Sequence, residues 1–98
     1  MNVKQAYEKI GTFYESSIRD SVTAPTLTLS KVKSGNLFVF VGDNQRLTLR
    51  EFVGKLHNLD SDLILVDDWG HEITDIGMEN WRIYTESAKE PIDILNDD

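Results

Sequence analysis

The sequence predicts an α+β fold, a single domain whose mixed β-sheet of about five strands contains a βαβ unit and is packed by two helices. Three observations predict it. Thr48 and Glu51 have the spacing of a capping box, and behind them Leu49, Phe52, Val53 and Leu56 recur at i, i+3, i+4 and i+7, the apolar stripe of a helix. Residues 37–41 and 63–66 are apolar at successive positions, the pattern of strands covered on both faces. Asp67, Asp68, Trp69 and Gly70 then carry the chemistry of a type I turn with glycine at a left-handed position, which returns the chain as a hairpin.

The elements follow in order. Val3, Tyr7, Ile10 and Tyr14, widened by Ala6, Phe13 and Ile18, predict a helix over 3–20, although Gly11 weakens it by about 1 kcal/mol relative to alanine. Pro25 ends that pattern, since the residue before a proline is pushed out of the helical region. Residues 27–32 alternate polar and apolar through Leu27 and Leu29, and Lys33, Ser34, Gly35 and Asn36 turn them into strand 37–41. The helix over 49–58 separates 37–41 from 63–66, enough chain for a right-handed crossover that sets the two strands parallel and adjacent. Strand 72–76 returns from the Trp69 turn, Gly77 to Asn80 turn again, and strand 81–85 follows with Trp81 facing the core. The expected core is Tyr7, Ile10, Tyr14, Leu29, Val39, Phe52, Val53, Leu56, Leu63, Leu65, Ile73 and Ile83. Residues 1–86 form the globular domain and 87–98 an acidic C-terminal tail, the alternative for the tail being a short docked helix starting near Pro91.

Composition narrows the function. A chain of 98 residues fits one domain and buries roughly 60–70% of its unfolded surface without staples. It contains no cysteine, which excludes disulfides, thiolate metal sites and cysteine nucleophiles. No apolar run is long enough for a signal peptide core or a membrane span, so a cytoplasmic protein is expected. The net charge of −7 is unevenly placed: residues 1–59 carry eight Lys and Arg against five acids, whereas residues 60–98 carry two against twelve. The halves either neutralise each other by packing or leave an electronegative face for a protein partner with a basic surface. Direct nucleic-acid binding is not expected, because phosphate contacts need a basic face.

Each candidate catalytic pattern falls short of its chemistry. His71-Glu72-Ile73-Thr74-Asp75 has the outline of a His-Glu-x-x-His zinc motif, but that motif needs a helix to put both ligands on one face, and these residues read as a strand. Asp60, Asp62, Asp67, Asp68, Glu72 and Asp75 offer oxygen ligands, yet counting an EF-hand loop from Asp60 puts Leu65 where the glycine must stand. There is no Gly-x-Ser-x-Gly elbow and no phosphate loop. The expectation is therefore a non-enzymatic protein without metal or cofactor, with a small metal-dependent hydrolase built on the 67–75 hairpin as the alternative.

Trp69 is the residue the sequence singles out. An aromatic at a turn, flanked by Asp67, Asp68, His71 and Glu72, has the make-up of a binding anchor with an acidic rim, to which Asp60, Asp62, Asp75 and Glu79 would add charge. The competing reading folds its ring over the sheet edge or the tail. A homodimer through an exposed edge strand or an undocked tail is the further form of partnership considered.

The order of capped short helix, Leu-x-x-Leu-Asp-x-Asp loop, aliphatic strand, Asp-x-x-Gly turn and return strand over residues 48–76 resembles small uncharacterised proteins of bacteriophages and mobile elements. The resemblance spans under a third of the chain. It implies an accessory role, and for inhibitors of that origin, occupation of the basic nucleic-acid groove of a host enzyme. It carries no residue role onto this chain.

Overall fold

Two capping boxes start the two helices of the computed structural model, which describes residues 1–92. Thr48 Oγ1 accepts the Glu51 N–H at 3.1 Å and Glu51 Oε1 accepts the Thr48 N–H at 3.1 Å, opening α2 (Leu49–His57). Asn2 and Gln5 make the same reciprocal pair ahead of α1 (Val3–Gly11). The helix expected over 3–20 ends at Gly11. Thr12 caps it, with its hydroxyl on the Lys9 carbonyl at 2.7 Å, and glycine followed by threonine, with Ser16 and Ser17 beyond, gives little helical propensity to continue. The chain then turns through residues 15–22, where Ser21 and Val22 donate to the Ile18 carbonyl.

Among the described residues, seven strands form one sheet: β1 (Thr23–Ala24), β2 (Leu27–Lys31), β3 (Leu37–Val41), β4 (Leu47–Thr48), β5 (Ile64–Asp67), β6 (His71–Glu79) and β7 (Arg82–Pro91). Their order across the sheet is β2-β3-β5-β6-β7-β1-β4. β3 and β5 are parallel neighbours joined through α2, with Val39 opposite Leu65, so the βαβ unit forms as the sequence predicts. The two strands beyond the expected five, β1 and β4, are two residues each and give no periodic signal.

These short strands show how the sheet closes. β1 and β2 stand five places apart in strand order, roughly 24 Å in a flat sheet, yet Pro25 and Thr26 alone connect them, a link reaching about 11 Å at most. The sheet must therefore curl back on itself. β1 with β2, and β3 with β4, make one bent hairpin, in which Ala24 faces Leu47 and Leu27 faces Val41. Residues 42–46 bulge at the bend. Asn44 fills it by accepting the Thr26 N–H at 3.1 Å and donating to Thr26 Oγ1 at 3.0 Å. Gln45 ties the bulge to the far side of the sheet through Thr23 Oγ1 at 2.8 Å and the Ile83 carbonyl at 3.0 Å. A Cβ on Gly42 would lie 2.4 Å from Thr26 Oγ1 and 2.6 Å from Asn44 Nδ2, so any side chain there would have to displace the Thr26–Asn44 pair.

The N-terminus completes the sheet where β5 and β6 diverge. These strands pair at Val66 and Glu72; beside the start of β5, the Val3 N–H donates to the Leu63 carbonyl at 2.9 Å and the Leu65 N–H to the Met1 carbonyl at 3.0 Å. α1 packs on α2 and on β6. The core between helices and curled sheet contains Val3, Ala6, Ile10, Val22, Ala24, Val39, Val41, Leu49, Phe52, Leu56, Leu65, Ile73, Ile76 and Ile83.

Some expected core residues lie elsewhere. Tyr7 and Leu29 are exposed, at 42% and 47%: Tyr7 lies at the open margin of the α1–α2 contact, its ring 5.9 Å from that of His57, and Leu29 stands on an edge strand. Tyr14, Val53 and Leu63 are half-buried against the core. The turn expected at Gly77 to Asn80 also moves: β6 runs on to Glu79, Asn80 and Trp81 form the two-residue turn with φ of 53° and 62°, and Trp81 is 59% exposed instead of core-facing. Gly77 lies within β6, where the Tyr84 ring covers it; a Cβ there would come within 2.4 Å of that ring. β7 extends to Pro91, opposite His71, so residues 87–91 of the expected tail are strand, held by pairing with β6. Pro91, where a helix was the alternative, is therefore in strand, and the rest of the tail, residues 93–98, lies outside the described residues. Among the described residues no helix is long and apolar enough to cross a membrane.

Candidate partner-binding surface

The Trp69 turn is built from its first residue. Asp67, the last residue of β5, accepts the N–H groups of Trp69 and His71 on one carboxylate oxygen, each at 2.9 Å, and its carbonyl accepts the Gly70 N–H at 3.1 Å. An aspartate can close a turn in this way because its side chain imitates the backbone acceptor two residues on. Gly70 takes the left-handed conformation at φ of 83°. From the other side, the Ile92 N–H donates to the Gly70 carbonyl at 2.8 Å.

His71 belongs to this support. Its Nδ1 lies 2.7 Å from the Ala88 carbonyl, which can only accept, so Nδ1 carries the proton and ties β6 to β7. The turn is therefore fixed by backbone and side-chain bonds on both flanks, while Trp69 itself is 74% exposed and Asp68 is exposed beside it. The indole does not fold over the sheet edge.

Of the remaining acids only Glu72 stays beside it. Glu72 pairs with the Met1 amine at 2.7 Å, and Asp75 with Lys9 Nζ at 2.9 Å. The hydrogen bond from Lys9, then that from the Ile76 N–H, holds the Asp75 carboxyl below the usual carboxylate range, and Asp75 in turn raises Lys9. Asp60 and Asp62 are exposed in the loop before β5, at the opposite end of that strand from Asp67, where they line a cleft of about 570 Å³ with residues 35–38. Glu79 stands at the far end of β6, roughly 25 Å along the strand from His71. There it borders a second cleft, about 440 Å³, with Asp43, Asn44, Arg82 and Tyr84.

The turn thus brings together Asp67, Asp68, Trp69, His71 and Glu72, and leaves Asp60, Asp62, Asp75 and Glu79 at other places on the molecule. Within the group, Asp67 serves the turn and Glu72 faces an ammonium, so Asp68 is the carboxylate most available to a partner. Among the described residues no group of three His, Asp or Glu is placed to hold a metal ion. Trp81 is a second exposed tryptophan that the alternation of apolar residues hid; Asn80, a residue that accepts positive φ, was the available signal for a turn there.

No family model matches the chain, and no curated protein or solved structure matches it.

Proposed function

We propose that this protein is a non-enzymatic protein-binding protein that docks the Trp69 turn into an apolar pocket with a basic rim on its partner. The observation that carries the reading is a large indole held out in solvent by a turn whose backbone is fixed on both sides. Burying such a ring in a partner is worth on the order of 3 kcal/mol, and a fixed backbone lowers the entropy lost on binding. Asp68 and the negative balance of residues 60–98 supply steering toward a basic surface. A groove that otherwise holds nucleic acid is one such surface, and an accessory or inhibitory role follows if the protein occupies it.

The test is affinity capture from a bacterial lysate with wild type and Trp69→Ala side by side, read by quantitative mass spectrometry. A protein retained by wild type and lost by the variant is the expected result; identical retained sets would contradict the anchor. With that partner in hand, Asp68→Asn should lower the association rate and its salt dependence, whereas Asp67 is unsuited to this test because it closes the turn. Release of labelled DNA or RNA from the partner on adding the protein is expected if the groove is shared, and simultaneous binding would defeat that form of the proposal.

A further inference from the structure

On the opposite side of the β3–β5 pair from the Trp69 hairpin, β2 ends the sheet as an edge strand. Its pairing with β3 is bracketed by two backbone bonds, Gly42 N–H to the Thr26 carbonyl at 2.9 Å and Val32 N–H to the Asn36 carbonyl at 3.0 Å. Hydrogen-bonded pairs alternate along an antiparallel ladder, so Thr26, Thr28, Ser30 and Val32 face β3. Leu27, Leu29 and Lys31 therefore present their N–H and C=O groups outward. The sheet's other terminal strand, β4, is two residues long and offers no comparable ladder.

Side chains add a second requirement to this backbone one. A groove of about 270 Å³ runs beside the edge, lined by Leu27 and Leu29 on the strand and by Lys55, Asn58 and Leu59 at the end of α2. Leu29 is 47% exposed in it. Edge strands are commonly guarded by a central lysine, but here Lys31 stands at the strand's last position and leaves residues 27–30 open. Lys31 and Lys55 place positive charge along the strand and groove. Glu51, one helical turn before Lys55, is engaged by the cap of α2, and Asp60 lines the separate cleft with residues 35–38.

We propose that β2 is a docking edge for an extended acidic segment of another protein, which adds to the sheet beside it and lays alternate apolar side chains into the Leu27–Leu29 groove. Backbone bonds to Leu27, Leu29 and Lys31 give such a guest its register, and carboxylates toward Lys31 and Lys55 select it. A second copy of this chain fits less well. Antiparallel pairing about Leu29 would set Lys31 of each copy beside Leu27 of the other with no carboxylate to meet it, between chains that each carry −7.

The experiment uses the intact protein and a short fluorescein-labelled peptide whose alternate positions, which share one strand face, run Asp, Val, Val, Asp with threonine between them, with lysine replacing aspartate in the control peptide, read by fluorescence anisotropy. The aspartate peptide should bind and the lysine peptide should not. The double variant K31E/K55E should weaken binding about tenfold or more. Leu29→Pro removes an outward N–H while leaving the bonds to β3, and should abolish binding. Independently of any variant, the peptide should slow amide exchange at Leu27, Leu29 and Lys31 of wild type and leave Trp69 and His71 unchanged. No binding by wild type, equal binding of the lysine peptide, or protection appearing at the Trp69 turn would overturn the proposal. So would a dimer in sedimentation that excludes the peptide, since the occupant would then be a second copy.

Discussion

At Trp81 the backbone takes φ of 62°, a conformation that disfavours a bulky side chain, and the indole is 59% exposed. The Asn80–Trp81 turn has positive φ at both central positions, for which Asn-Gly is the preferred pair. Trp81→Gly should therefore raise the unfolding free energy by about 0.5–1 kcal/mol, as measured by urea denaturation, by removing a left-handed non-glycine residue. A loss of stability would show that the indole returns more through packing than its backbone costs. Trp69 is a different case. Gly70 takes the left-handed position next to it, and Asp67 supplies the turn's acceptor. The sequence identified this turn because aspartate and glycine have local chemistry. It missed Trp81 because an alternating run of Trp, Ile and Tyr beside Arg82 has the same pattern whether the first residue is in the strand or in the turn.

Helix α2 was readable to within a residue because its cap and its stripe are both local. α1 carries the same capping box, but its apolar spacing continues past Gly11 into residues that pack as turns, so periodicity overran the helix. Replacing Thr48 by alanine removes the acceptor for the Glu51 N–H and should lower stability by about 1 kcal/mol in thermal or urea unfolding. Thr48→Ser, which keeps a hydroxyl, should retain most of it; equal losses in both variants would mean that the threonine methyl, and not the cap, matters. The parallel pairing of β3 with β5 was likewise legible, since two doubly apolar runs around one helix leave few alternatives. The β1 and β4 pairs were not. They exist because the bulge at residues 42–46 bends a long hairpin, and that bulge is held by Asn44 and Gln45 contacts with residues distant in sequence.

For the whole molecule, charge is distributed more than it is concentrated. Lys9 with Asp75 joins α1 to β6, and Arg50 with Asp20 joins α2 to the turn before β1, the latter through two contacts of 2.8 Å. The hydrogen bond from Arg50 lowers the Asp20 carboxyl, as Lys9 lowers that of Asp75. A carboxyl lowered by folding stabilises the native state above its ordinary, unfolded value, and that contribution disappears as pH falls through the lowered value. Unfolding free energy should thus drop on acidification below the usual carboxylate range, and D20N/D75N should flatten that drop; an unchanged pH profile would show that neither pair contributes. At the alkaline end, the Lys9 pair is lost as pH rises through the raised lysine value.

The acidic face foreseen for residues 60–79 was legible only in part. Periodicity tells which residues share a strand face, but the distance between the two ends of β5 and β6, and the cations met by Glu72 and Asp75, are set by the tertiary fold. What remains is the turn with its exposed indole. The proposed docking of Trp69 requires that its indole have no part in the fold, and the urea unfolding free energy of Trp69→Ala tests that requirement most directly. A value within about 0.5 kcal/mol of wild type is expected, as for a surface side chain with no structural role. A loss of about 2 kcal/mol or more would contradict it, since that is the scale on which a packed aromatic supports its own domain.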